Sequence, residues 1–118
     1  MKRILLVFVL LAALVSAACD RDRGEIRVTS EVTSVVLRNI RWGERHVATR
    51  LLPGEWSSWL VISENDETFE EEHHVTFYME KDGAKVFLRT KEKFFVGKDS
   101  ETEVIIGPDT EVENLAVR

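Results

Sequence analysis

The chain has 118 residues, with 16 Lys and Arg against 21 Asp and Glu for a formal charge of −5. That acidic balance argues against a nucleic-acid binder, whose affinity rests on cations meeting phosphates. One cysteine leaves no partner for an internal disulfide, and the length suits one domain, not two.

The first element predicted is an export signal. Lys2 and Arg3 make a positive start, Ile4 to Val15 are twelve apolar residues without a break, and Ser16-Ala17-Ala18 leads into Cys19. A charged start, a short apolar core and a small-residue cleavage site describe a secretory signal peptide. The uncharged run ends at Cys19 after sixteen residues, short of the roughly 18–20 that a bilayer-spanning helix needs. An ordinary signal cut near Ala18 and an uncleaved anchor are the competing readings.

Ser16-Ala17-Ala18-Cys19 resembles the lipobox of bacterial lipoproteins, with Ser16 where that family most often has Leu. The resemblance implies that the Cys19 sulfur takes a diacylglycerol, that cleavage falls just before it, and that the new amino terminus receives a fatty acid such as palmitate. It divides the chain into a signal peptide (1–18), a lipidated cysteine with a short tether (19–24) and a folded domain (25–118). In lipoproteins of enteric-type bacteria an Asp after that cysteine retains the protein on the inner membrane, and Asp20 matches. Loss of Lys2 and Arg3 takes the charge to −7, so the expected membrane link is the lipid alone. Two or three acyl chains, at about 0.8 kcal/mol per buried methylene, make a stable anchor. Residues 20–24 reach at most about 17 Å when extended.

From Glu25 onward the pattern is strands and turns with no helix. Ile26, Val28, Ser30 and Val32 alternate with Arg27, Thr29 and Glu31, the period of a half-buried strand. Residues 34–42 repeat the alternation, Gly43-Glu44 can turn, and 45–52 return. Pro53-Gly54 marks another turn, before a strand over 55–62. A loop over 63–72 holds six carboxylates, Glu64, Asp66, Glu67, Glu70, Glu71 and Glu72. Strands over 73–80 and 84–90 flank Lys81-Asp82-Gly83, a strong hairpin signal. Strands over 91–96 and 101–106 follow around a 97–100 turn, and Pro108 restricts the 110–117 tail to an edge strand or irregular chain.

Seven or eight short strands separated by turns predict an all-β fold. The expected form is a two-layer antiparallel sandwich of immunoglobulin-like or transthyretin-like type, with a small closed β-barrel as the alternative. Asn39-Ile40-Arg41-Trp42, Pro53-Gly54-Glu55, the run from Val75 to Tyr78, Arg89-Thr90-Lys91-Glu92 and Asp109-Thr110-Glu111-Val112 resemble landmarks of small single-sandwich bacterial lipoproteins. Most members of that group have no assigned role, so the resemblance speaks to fold.

Chemistry-bearing motifs are sparse. His73-His74 after Glu70-Glu71-Glu72 is the one cluster with metal-ligand chemistry, yet adjacent strand residues point to opposite faces. The acidic loop lacks the Gly and the regular Asp spacing of a calcium loop. No GxSxG elbow, phosphate loop or placed His supports catalysis. The expectation is therefore no enzyme, no cofactor and no metal. What remains is a membrane-anchored binding or assembly module with a protein partner in the envelope. A small-ligand or calcium-binding β-domain is the alternative. In a regular strand Trp56, Ser58, Leu60 and Ile62 share one face, and Trp59, Val61 and Ser63 share the other. The first set has more apolar bulk, so Trp56 is expected in the core, with Trp59 and Val61 exposed as partner contacts.

Overall fold

A computed structural model describes residues 22–115. The signal segment, Cys19 and Asp20 lie outside the described residues. The described residues form eight strands in order: β1 (Arg23–Ser30), β2 (Val36–Trp42), β3 (Arg45–Leu51), β4 (Leu60–Ser63), β5 (Glu71–Lys81), β6 (Ala84–Val96), β7 (Glu101–Ile106) and β8 (Val112–Asn114). They form two sheets, β4-β1-β7 and β3-β2-β5-β6-β8. These pack face to face as a small β-sandwich, the predicted fold class.

The core is the set of side chains turned inward from both sheets, by period-2 alternation except in β2. There an extra residue at Asn39 (φ 50°) reverses the expected facing and puts Ile40, not Asn39, on the inner face with Leu37. Ile26 and Val28 of β1, Ile62 of β4, and Val104 and Ile106 of β7 meet Leu37, Ile40 and Trp42 of β2, Val75 and Phe77 of β5, and Leu88 of β6. Each fully buried side chain of this size contributes about 1.5–3 kcal/mol relative to exposure. Trp42 is the largest of them and is wholly buried. Its indole N–H donates to the Phe94 carbonyl at 2.8 Å, which leaves no polar atom stranded.

Several strands differ from their predicted extents. β1 begins at Arg23 and takes in Gly24, both of which the sequence reading places in the tether. Gly24 has no side chain to show an alternation, and it is needed there: a Cβ would lie 2.2 Å from the Gly97 carbonyl oxygen. Residues 84–96 form one strand instead of two. β6 carries two more residues than β5 between the pairs Thr76↔Arg89 and His74↔Lys93, so the break in alternation near Lys91 is a bulge. The buried Thr90 hydroxyl fills the gap in the ladder by accepting from Val75 N at 3.0 Å and donating to Glu92 O at 2.8 Å.

One pair departs from the antiparallel expectation. β1 and β7 run parallel, from Glu25↔Glu101 to Ser30↔Ile106. No hairpin links these strands; the chain reaches β7 from the other sheet through the Gly97–Ser100 turn, so no local constraint forces them antiparallel. The Asp82-Gly83 hairpin is present, with φ of 52° and 83° at the two turn residues, both positive as a type I′ turn demands.

Candidate functional site

The outer face of the three-stranded sheet holds the residues with the greatest capacity for contact. β4 pairs with β1 in regular antiparallel register through Ile26↔Leu60. Beyond that point Val28 meets Ser57, so two steps along β1 match three steps along residues 57–60. Ser57 N–H donates to Val28 O at 2.8 Å, and Ser57 Oγ accepts from Val28 N at 3.0 Å. The buried hydroxyl thus replaces a missing backbone acceptor, as Thr90 does in the other sheet. Thr29 then bridges to Trp56.

That extra residue corrects the expected facing of Trp56. An odd insertion reverses the alternation, so Ser57 turns inward at 5% exposure while Trp56 is 65% exposed. Trp56 is therefore not a core residue. It shares the outer face with Trp59 and Val61, which are 36% and 42% exposed.

Arg27, the outward residue at the centre of β1, joins the two indoles. Its guanidinium carbon lies 4.6 Å from the Trp59 ring centroid and 6.0 Å from that of Trp56, both within cation–π range. Its Nε donates to Glu103 of β7 at 2.6 Å. A carboxylate on one side and two aromatic rings on the other hold the guanidinium across all three strands. Ile105, also exposed, continues the apolar surface along β7. The result is a flat platform of aromatic and aliphatic side chains around one fixed cation. Sequence reasoning singled out Trp59 and Val61 and missed Trp56 and Arg27. The WxxW spacing with an Arg at the centre of a neighbouring strand was the available signal.

The other candidates are spread apart. His73 packs edge-on against Trp42, with ring centroids 5.0 Å apart, and its Nε2 lies 2.9 Å from Glu71 Oε1. His74 points to the opposite face, and its Nδ1 sits 2.7 Å from the Thr90 carbonyl, so that nitrogen carries the proton. Within the acidic loop, Asp66 accepts from Thr68 Oγ1 at 2.6 Å and from Thr68 N at 2.9 Å, and it faces Arg45 at 3.3 Å. The Thr68 hydroxyl bond, then its backbone bond, and last the Arg45 charge hold the Asp66 carboxyl below its usual range. Among the described residues no three His, Cys, Asp or Glu side chains stand close enough to share an ion. An open groove of about 620 Å³ runs between β6 and β7, where Thr90, Lys91 and Phe94 face Glu103 and Ile105. No family model, curated protein or solved structure matches the chain.

Proposed function

We propose that this protein is an exported lipoprotein, anchored through acyl chains on Cys19, and that it works as a non-enzymatic binding module for a protein partner in the envelope. The anchor rests on the sequence from Lys2 to Cys19. Contact with a partner rests on one observation, the platform formed by Trp56, Trp59, Val61 and Arg27. Tryptophan and arginine dominate the energetics of protein interfaces, and here the Arg27 guanidinium already lies against both indoles and the Glu103 carboxylate. Because Arg27 is already stacked and ion-paired, little rotamer freedom is left for it to lose on binding.

Two measurements test the two halves separately. Metabolic labelling with a tagged fatty acid marks the wild type and not Cys19→Ala; equal labelling of both refutes the anchor. Crosslinking in intact cells, with a photoreactive residue replacing Val61, captures one reproducible protein, and capture falls several-fold in the Trp56→Ala/Trp59→Ala background. Capture that is unchanged by the loss of both indoles refutes the platform.

A further inference from the structure

The outer face of the five-stranded sheet carries a charge opposite to that of the chain as a whole. Its outward residues follow from the register. Arg50, Arg38, Tyr78 and Phe87 form one row across β3, β2, β5 and β6, and His46, Arg41, Thr76 and Arg89 form the next. Lys85 and Lys93 complete six cations against three carboxylates, Glu72, Glu80 and Glu113. Arg38 is paired with Glu80 and Arg89 with Glu113, while Arg41, Arg50 and Lys93 form no ion pair among the described residues. Arg38 and Arg50 stand directly opposite each other on neighbouring strands, an arrangement of like charges that weakens a sheet. Tyr78 and Phe87 stack beside them with centroids 4.7 Å apart.

We infer that this face binds a linear anionic polysaccharide. Cations repeat across the strands at about 5–10 Å, set by a strand spacing of about 4.8 Å, so an extended polymer with an acid group on successive sugars can meet several at once. Guanidinium groups pair bidentately with carboxylate, sulfate and phosphate alike. The half-buried Tyr78–Phe87 pair sets an apolar stretch among the cations.

The choice of a polysaccharide rests on the export reading of residues 1–19, which places the domain away from nucleic acid. Geometry disfavours the membrane as the occupant. The tether meets the end of β1, where Glu64 N bonds Asp22 O. The acidic loop also lies there, shortened to residues 64–70 because Glu71 and Glu72 belong to β5. With that end toward the bilayer the strands stand upright and the basic face looks sideways.

Full-length protein in phosphatidylcholine nanodiscs, titrated with fluorescent heparin at low salt, tests the inference, with or without acylation of Cys19. Binding falls with rising salt, and Arg41→Glu/Arg50→Glu loses on the order of ten-fold in affinity or more. Lys98→Glu, the same charge change on the 97–100 turn, stays within about two-fold, as expected for a cation outside the face. Arg50→Glu also melts no lower than the parent, because it replaces a like-charge pair with an opposite one. Equal losses for the Lys98 variant and the double variant overturn the assignment, as does tighter binding of labelled polyglutamate than of heparin. Abolition of heparin binding in phosphatidylglycerol nanodiscs overturns it too, since the face is then lying on lipid. Fatty-acid labelling of Cys19 tests the anchor on its own.

Discussion

Replacing Ser57 with Ala probes the residue that sets the outer platform. Alanine keeps the Cβ and the backbone bond from Ser57 N to Val28 O, so the chain path is retained. What disappears is the acceptor for Val28 N–H, at a strand residue with no solvent exposure. A buried donor left without a partner costs about 1–3 kcal/mol. The second bond of the hydroxyl, to Ser58 O at 2.9 Å, adds little, because Ser58 is exposed and water can replace it. The expected loss is therefore about 2 kcal/mol, or roughly 8–16 °C in melting temperature for a domain of this size. Urea unfolding followed by tryptophan fluorescence measures it, with the slope unchanged if the native fold is kept. Ser58→Ala, one residue along and exposed, stays within about 0.5 kcal/mol of the parent. A Ser57→Ala variant as stable as the parent, or a Ser58→Ala variant equally damaged, refutes the account of the bulge.

Gly83→Val at the β5–β6 hairpin costs about 1–2 kcal/mol, since φ is +83° and a side chain there meets no atom within 4 Å that could add or relieve strain. Thermal melting reads this, and an unchanged midpoint means the turn does not need a left-handed residue. Asp66→Asn tests the acid side. Because the folded carboxyl titrates below the unfolded value, its stabilisation is full at neutral pH and disappears as pH falls below about 4 through the lower folded value. Asp66→Asn is thus less stable than the parent at pH 7, and the gap narrows at low pH. A gap that is constant with pH contradicts the Thr68 bonding.

Much of the fold was legible because alternation survives wherever a strand pairs regularly. Ile26 with Val28, Val75 with Phe77, and the Asp82-Gly83 turn all follow from period 2 and turn chemistry. The errors fall where a strand carries extra residues, one at Asn39, one beside Ser57 and two beside Thr90. At Ser57 and at Thr90 a hydroxyl replaces a backbone partner, and no composition rule distinguishes such a serine or threonine from a solvent-facing one. The platform was misread for that reason alone: Trp56 changes face with a single insertion. Net charge hides a different feature. A total of −5 conceals one sheet face with twice as many cations as carboxylates, because sums over a sequence ignore which side of a strand each residue occupies.

The position of β1 has a mechanical consequence. This strand lies between β4 and β7, antiparallel to one and parallel to the other, and it is the first strand among the described residues. A pull on the chain ahead of Arg23, directed along the strand, loads both ladders in shear, so their hydrogen bonds resist together instead of parting one after another. Ile26 and Val28 would also have to slide out of the core before the strand could leave. A force applied between that end and the far side of the domain would thus meet its stiffest element first, and the turns at the other end would carry little of the load.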